Sequence, residues 1–371
     1  MMLKYEYQKK RELTGKTIAY IGAYSSDTGA GIYTFKMDRD TGELTQLFEP
    51  VRIENPSYLI LDKSKQFLYC VMETTEYSRD IAGGGVAAFQ INCDGNLKFI
   101  NKQPTYGDEP CYLSIDQKNH FLLAANYGGG SISVFPLSVD GSIQPSVHMI
   151  AHSGSGPVKE RQSSPHVHFT EFTADEKYLL AVDLGIDEVK FYKLDAEHDS
   201  IIPEPGMTIK CKAGSGPRHL VFHDDTAYVI NELSSDIGVF SFVNSRFVSK
   251  QYISTIPDDY KGANAPAALK LSKDGRLLFA SNRGHNSISV FHIKDDNSLE
   301  LLQCFPSGSS GPRDFAIDPE EKFVLIANET GNQVNIQTIN HETKSIKPTK
   351  YSVSLYRPSC VQFWTLENEH K

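Results

Sequence analysis

The chain has 371 residues, of which 40% are hydrophobic and 22% are charged, a composition typical of globular proteins. Its formal net charge of −9 argues against nucleic acid or an anionic membrane surface as a partner. The sequence contains no apolar run long enough to span a membrane and no apolar signal-peptide segment at its start. Its six cysteines include no CxxC pair, which predicts reduced thiols in the cytoplasm rather than a zinc site or a disulfide framework.

The first predicted strand, Ile18–Ala23, follows the charged segment MMLKYEYQKKRELTGK. We therefore expect residues 1–16 to form an N-terminal extension and residues 17–371 to form a single domain. Two further strands are predicted at Gly31–Met37 and Leu44–Phe48. From Pro56 onward the chain consists of repeated blocks, and these decide the fold class.

Each block starts at a proline and predicts four short strands separated by polar turns, as in PSYLILD, QFLYCVMET, GGGVAAFQI and LKFINK of the first block. The starts are Pro56, Pro110, Pro165, Pro217, Pro266, Pro312 and Pro358, which are 46 to 55 residues apart. Short strands with this period are typical of a β-propeller with one sheet per blade. The seventh block contains only Pro358–Trp364, so residues 18–53 are expected to supply its other three strands. The sequence thus predicts an all-β, seven-bladed β-propeller closed by its C-terminal strand.

The first strand of a propeller blade lines the central channel, so alignment of the blocks predicts which side chains meet at one mouth. The first strands begin with Ser57, Cys111, His168, Arg218, Ala267, Arg313 and Ser359. The second strands end with Glu73, Tyr127, Leu184, Glu232, Arg283, Glu329 and, in the closing blade, Tyr24. These residues predict a polar ring with a cationic arc over blades three to six.

Several of these residues have a structural interpretation beside the functional one. Arg218 and Glu232 lie at adjoining ends of antiparallel strands, so they form either an ion pair that only stabilises the fold or part of an anion site. The polar column Asn126, Asp183, Asn231, Asn282 and Asn328 is expected mainly to hold the turns that follow the second strands. The glycines at 83–85 and 128–130 precede strands, which indicates turns rather than phosphate cradles.

His166 and His168 alternate along one predicted strand, so both side chains are expected on the same side. Two imidazoles can bind zinc, but no spacing in the sequence specifies a third ligand. We therefore predict neither a metal site nor a cofactor.

The sequence resembles the seven-bladed propeller lactonases of the bacterial 6-phosphogluconolactonase type over essentially everything from Ile18 onward. The motifs that carry the resemblance are NPSYL at 55–59, ANYGGGSISVF at 125–135, RQSSPHVH at 161–168, VDLGIDEV at 182–189, GPRHLVFH at 216–223, VINELSS at 229–235, FASNRGHNSISVF at 279–291 and GPRDFAID at 311–318. The carboxy-cis,cis-muconate cyclase looks like a distant relative. Its catalytic residues imply His168, Arg218, Glu232 and Arg283 here, whereas Ala268 departs from the glutamate common in the family.

The resemblance implies hydrolysis of a small phosphorylated sugar lactone, 6-phospho-D-glucono-1,5-lactone, by a cytoplasmic monomer or homodimer of the pentose phosphate pathway. Hydrolysis of a lactone needs a base that activates water and a cation that stabilises the oxyanion. Glu232 or His168 is a candidate base, Arg218 a candidate oxyanion partner, and Arg283 or Arg313 a candidate phosphate ligand. Further substrate contacts are expected from His166, Asn126, Tyr127 and His285.

Two other functions fit the same ring of residues. A muconate-type cyclisation would need an apolar pocket without a phosphate site. A non-enzymatic propeller that binds a ligand or a partner would need the mouth to be polar only for solvation, because the propeller fold alone does not decide function. No nucleophile elbow is visible in the sequence, so we do not expect an acyl-enzyme.

Overall fold

A computed structural model describes residues 17–26, 29–195 and 200–365. Strands dominate these ranges, and the regular helical structure within them is a short 3-10 helix, Pro205–Met207. No helix in this part of the chain has the length and apolar character needed to cross a bilayer. The extension predicted for residues 1–16 lies outside the described residues.

The strands of the first four sheets follow the predicted blocks. The chain begins with β1 (Thr17–Ala23), β2 (Ala30–Met37), β3 (Leu44–Gln46) and β4 (Val51–Arg52). The next sheet contains β5 (Leu59–Leu61), β6 (Phe67–Met72), β9 (Gly85–Ile91) and β10 (Leu97–Pro104), with a side hairpin of β7 (Glu76–Ser78) and β8 (Ile81–Ala82). Then come β11 (Pro110–Ile115), β12 (Phe121–Asn126), β13 (Ser131–Pro136) and β14 (His148–Ala151), followed by β15 (Val167–Phe172), β16 (Tyr178–Asp183), β17 (Glu188–Asp195), β18 (Ser200–Pro203) and β19 (Ile209–Lys210).

The remaining sheets repeat the same order of four antiparallel strands. They contain β20 (Pro217–His223), β21 (Thr226–Asn231), β22 (Asp236–Val243) and β23 (Arg246–Ser254), then β24 (Ala265–Leu271), β25 (Leu277–Arg283), β26 (Ser287–Ile293) and β27 (Leu299–Pro306). The last block forms β28 (Pro312–Ile317), β29 (Phe323–Asn328), β30 (Gln333–Asn340) and β31 (Ser345–Ser354), and the final strand is β32 (Pro358–Thr365).

The ring closes between the two ends of the described chain, as the sequence predicted. Strand β32 pairs antiparallel with β1, from Thr17 opposite Thr365 to Ala23 opposite Pro358. The sheet order β3-β2-β1-β32 makes β32 the innermost strand of the closing blade. The innermost strands of successive blades contact one another around the whole circle, and β32 contacts both β28 and β5. The seven-bladed propeller is thereby confirmed.

Hydrogen bonds from buried tyrosines tie neighbouring blades together. Tyr20, Tyr69 and Tyr228 all lie on second strands, and each donates its hydroxyl to a carbonyl in a turn of the next blade. The distances to the acceptor oxygens are 2.7, 3.0 and 2.9 Å. Large aromatic rings can therefore fill the space between sheets without leaving a buried hydroxyl unsatisfied.

A β-bulge at the start of the innermost strands directs the side chains at the mouth. The pairing register skips one residue in five of these strands: Cys111, His168, Arg218, Arg313 and Ser359. A bulge leaves one residue unpaired and changes the direction of its side chain. The repeated bulge thus explains why these residues occupy equivalent positions at one end of the channel.

Candidate active site

A cavity of about 260 Å³ lies at this mouth of the channel. Bulge residues and second-strand ends supply most of its wall, and the lining residues are Tyr24, Glu73, Glu109, Cys111, Tyr127, Arg161, His168, Glu232, Arg283, Arg313, Glu329 and Arg357. A larger groove of about 630 Å³ lies at the opposite ends of the strands, between the blade of β15–β19 and the blade of β20–β23, and four phenylalanines are among its lining residues. We place the functional site in the smaller cavity because four arginines and four glutamates converge there.

Glu232 is surrounded by three guanidinium groups. Its Oε1 is 2.6 Å from Nη2 of Arg161, and its Oε2 is 3.1 Å from Nε of Arg218 and 2.7 Å from Nη2 of Arg283. Burial opposes ionisation of this carboxyl, but the charges of Arg283 and Arg218 and the hydrogen bond from Arg161 hold its pKa well below the usual range. Glu232 is therefore a carboxylate that holds three arginines in place, and both of its oxygens are occupied.

Arg218 lies beneath this cluster and does not line the cavity. Its side chain is only 2% exposed, and its Nη1 donates to the carbonyl of Ala267 at 2.6 Å and lies 3.2 Å from Nε2 of His219. Burial, followed by the charge of Arg283, lowers its pKa to about 9, although Glu232 opposes the shift. Arg218 thus remains a cation at neutral pH, and its nearest countercharge is Glu232.

A second charged cluster occupies the other side of the cavity. Glu329 contacts Nη1 of Arg313 at 3.4 Å and also accepts a hydrogen bond from Arg357. Arg313 lies 3.8 Å from Glu73, which accepts the hydroxyl of Tyr24 at 2.7 Å. The guanidinium of Arg357 stacks over the Tyr24 ring, 4.2 Å from its centroid. The contacts of Arg313 are longer than ordinary charge-assisted hydrogen bonds, so its donors are not saturated by its carboxylates.

His168 forms part of the cavity wall between these clusters. It is almost fully buried, and its Nδ1 lies 3.7 Å from Sγ of Cys111. Burial, together with the charges of Arg218 and Arg313, lowers its pKa well below the ordinary value. The imidazole is therefore neutral at physiological pH, and its protonation beside two guanidinium groups is unfavourable.

His166 and Tyr127 form a stacked pair beside the cavity. The two ring centroids are 4.6 Å apart, and Nδ1 of His166 lies 2.9 Å from the carbonyl oxygen of Tyr127. Tyr127 lines the cavity and His166 does not. Within the described ranges, no three or more His, Cys, Asp or Glu side chains are grouped so that they could hold a metal ion.

The structure does not bring Asn126 and His285 to the cavity, although substrate contacts were expected from both. Asn126 is fully buried, and its amide donates to the hydroxyls of Ser131 and Ser133 at 3.0 Å. His285 lies 2.7 Å from the hydroxyl of Ser287 through Nδ1. Asn126 and His285 are therefore bound to hydroxyls of neighbouring strands and do not line the cavity.

Three cavity residues were not predicted: Glu109, Arg161 and Arg357. Glu109 and Arg357 directly precede the block-starting prolines Pro110 and Pro358, so a charged residue at that position was a usable signal. Arg161 comes from the loop between β14 and β15, at a position that the aligned strand ends do not include. It reaches Glu232 across 71 residues of sequence, and such a pairing cannot be read from local spacing.

Seven four-stranded blades around a charged axial cavity define the class of the protein: a β-propeller with its functional site at one mouth of the channel. The family model described as "Lactonase, 7-bladed beta-propeller" matches residues 18–363, so the chain belongs to this family of lactonases, which are hydrolases of cyclic esters. The family predicted from the motifs is confirmed.

Similar proteins with assigned names agree with this family. The chain is 37% identical over 355 residues to the 6-phosphogluconolactonase of Bacillus subtilis, covering 94% of this chain and 98% of that protein. It is 34% identical to the 6-phosphogluconolactonase of Formosa agariphila, covering 93% of this chain and 99% of that one. Among solved structures, the periplasmic gluconolactonase of Pseudomonas aeruginosa superposes with a TM-score of 0.88 at 29% identity, covering 95% of this chain and 99% of that chain.

Proposed function

We propose that the protein is a 6-phosphogluconolactonase, which hydrolyses 6-phospho-D-glucono-1,5-lactone to 6-phosphogluconate in the pentose phosphate pathway. The observation that carries this proposal is the convergence of four arginines in one cavity of about 260 Å³. Ligand pockets usually measure about 300–1,000 Å³. This cavity lies just below that range, so it suits a small ligand such as a single sugar ring. Guanidinium groups are suited to a phosphate because their donors match its oxygens in a fork.

We assign the phosphate to the cluster of Arg313 and Arg357 and the reacting carbonyl to the side of Arg283. Arg283 donates its Nη2 to Glu232 and its Nε to the carbonyl of Ala265. Its guanidinium is thus fixed while still lining the cavity, as an oxyanion partner must be. The geometry favours Arg283 over Arg218 for this role, because Arg218 is buried behind Glu232 and does not line the cavity.

The other two functions have less support. A muconate-type cyclisation without a phosphate would suit an apolar pocket, whereas eight of the twelve residues around this cavity are arginines or glutamates. A purely binding propeller does not account for membership of a lactonase family.

The deciding experiment measures hydrolysis of freshly made phosphogluconolactone. Acceleration above the spontaneous rate supports the proposal, and a rate equal to the spontaneous one would refute it.

Arg313→Ala is expected to raise KM for the phosphorylated lactone and to leave kcat nearly unchanged. A phosphate contact far from the reacting bond stabilises the bound ground state and the transition state alike, so its loss appears mainly in KM. Glucono-1,5-lactone, which has no phosphate, is the matched control substrate, and its kinetics should respond little to this change. An equal loss of kcat/KM for both lactones would contradict the assignment of Arg313 to the phosphate.

Hydrolysis is expected to survive dialysis against EDTA. Nδ1 of His166 lies against the carbonyl of Tyr127, and Nδ1 of His168 faces Cys111, so the two imidazoles do not present a shared pair of nitrogens. The measurement compares kcat before and after EDTA treatment. If activity disappeared and zinc restored it, His166 and His168 would have to be reconsidered as metal ligands.

The proposal also includes a cytoplasmic location and a monomer or homodimer as the working unit. Reduced thiols support the location, because none of the six cysteines, all of which lie in the described ranges, forms a disulfide. Cell fractionation and sedimentation of the purified protein test these two points separately.

A further inference from the structure

We propose that Glu109 is the general base that activates the hydrolytic water. This inference rests on the proposed lactonase reaction and assigns a residue that the repeat alignment did not select. The argument begins with the four glutamates that line the cavity, namely Glu73, Glu109, Glu232 and Glu329. A base must have a carboxylate oxygen that is free to accept a proton from water.

Three of these glutamates are already engaged by cations or hydroxyls. Glu232 uses both oxygens for three guanidinium groups. Glu329 is paired with Arg313 and Arg357, and those charges outweigh the effect of burial and lower its pKa. Glu73 accepts the hydroxyl of Tyr24. A carboxylate held by cations is a weak base, because these contacts favour its charged form.

The carboxylate of Glu109 differs from the other three. Among the residues that the structure describes, it has no hydrogen bond and no ion pair, and it lies on the cavity wall with Cys111 and His168. The backbone of Glu109 is held on both sides, since its N–H donates to the backbone carbonyl of Thr74 and its carbonyl accepts from the backbone N–H of Tyr127. The side chain is thus supported by a fixed backbone while its oxygens remain available to solvent in the cavity.

The backbone conformation of Glu109 supports a functional reason for this side chain. Its φ is +51°, in the left-handed region that disfavours most residues with a side chain. The equivalent positions before Pro56, Pro217 and Pro312 carry residues suited to that region, namely Asn55, Gly216 and Gly311. Glu109 shares this strained position with Arg357, which precedes Pro358 with a φ of +43°, and both side chains line the cavity, which points to a functional reason for them.

The neighbouring turn leaves space for this carboxylate. A Cβ added at Gly128 would come within 2.9 Å of Oε2 of Glu109. Gly128 does not have a left-handed φ, so conformational freedom does not require a glycine at this position. The absence of a side chain at residue 128 therefore keeps the oxygen of Glu109 unobstructed.

The reaction balances with Glu109 as the only proton carrier. The carboxylate takes a proton from water as the water oxygen attacks the lactone carbonyl carbon, and the carbonyl oxygen becomes an oxyanion beside Arg283. Collapse of the tetrahedral intermediate breaks the bond between this carbon and the ring oxygen. Glu109 then returns its proton to the ring oxygen, which leaves as a hydroxyl, and the product is released as a carboxylic acid that ionises in water.

The test compares Glu109→Gln with the matched control Asp108→Asn, which removes the adjacent, partly buried carboxylate that does not line the cavity. Glu109→Gln is expected to lower kcat by about 10²–10⁴-fold, as for the loss of a general base, without a change in KM or melting temperature. Asp108→Asn should keep the wild-type kcat. Glu109→Ala supplies a second readout, because added formate should restore part of its turnover, an effect that a merely structural residue would not show.

The outcomes separate this inference from the proposed function. If the wild-type protein hydrolyses phosphogluconolactone and Glu109→Gln keeps its full kcat, Glu109 is not the base and the lactonase assignment stands. If the wild-type protein does not accelerate hydrolysis, the proposed function and the base assignment both fail. Should Glu109→Gln fold poorly, Glu109→Ala without any response to formate would also overturn the inference.

Discussion

Glu232→Gln is expected to destabilise the protein by about 3–5 kcal/mol, as when one partner of a buried ion pair is removed. The variant would leave Arg218, which is 2% exposed, without its nearest countercharge, and would place Arg283 beside it without an intervening carboxylate. Loss of the contact with Arg161 contributes less to this destabilisation, because the Arg161 side chain is 41% exposed and water screens its charge. Denaturant unfolding of both proteins measures this difference. A variant as stable as the wild type would contradict the role of Glu232 as the common anchor.

The destabilisation should depend on pH in a defined direction. Because the pKa of Glu232 in the folded protein lies below its ordinary value of 4.5, its stabilising contribution is complete above that value and is lost as the pH falls below it. The stability gap between the wild type and Glu232→Gln should therefore be widest near neutral pH and should narrow under acidic conditions. A gap that does not change with pH would indicate loss of packing rather than loss of charge.

A double variant separates stability from catalysis in this cluster. Replacement of a buried ion pair by neutral groups of similar size is often tolerated, so Arg218→Met combined with Glu232→Gln should recover much of the stability lost in Glu232→Gln. Turnover should stay low in the double variant if Glu232 is needed to hold Arg161 and Arg283 at the cavity. Recovery of both stability and turnover would mean that Arg218 and Glu232 form an ion pair that serves only the fold.

The features of the site that were predicted from sequence are those that the repeat places. His168, Arg218 and Arg313 were expected at one mouth because each begins an equivalent strand, and the structure puts each of them at the bulge of its strand. The alignment could not distinguish a residue that lines the cavity from one buried beneath it. Arg218 illustrates this limit. The structure shows that its side chain is 2% exposed and is enclosed by Glu232, Ala267 and His219, which the alignment could not reveal.

The residues that the sequence analysis did not identify depend on backbone conformation or on long-range pairing. Glu109 reaches the cavity through a left-handed φ of +51°, and Arg357 does so through a φ of +43°. Neither angle follows from strand periodicity, which predicts faces only for extended backbone. To predict that Arg161 reaches the cavity, one would have to know the position of a loop outside the repeated strands. The repeat thus marks Glu109 and Arg357 only through their position before a block-starting proline, and it does not mark Arg161 at all.

Deletion of all residues after Arg357 is expected to abolish cooperative folding of the propeller. The deletion removes β32, whose residues Cys360, Val361 and Trp364 are almost fully buried. Burial of one large apolar side chain stabilises a protein by about 1.5–3 kcal/mol, and net stabilities are only about 5–15 kcal/mol. The loss of these side chains and of the hydrogen bonds to β1 is thus comparable to the whole stability of a domain.

The closing strand also joins blades that are distant in the sequence, which is why its loss should affect the entire ring. Trp364 donates its indole N–H to the backbone carbonyl of Lys65 at 2.8 Å, and the hydroxyl of Ser359 donates to the carbonyl of Ser57 at the same distance. Without β32, β1 would expose an unpaired edge towards the channel, and edges of this kind promote aggregation. Deletion of residues 366–371 alone is the control, because the pairing with β1 ends at Thr365. Thermal unfolding of both truncations is followed by circular dichroism. If the chain that ends at Arg357 unfolds at the wild-type temperature, β32 is not needed to hold the ring closed.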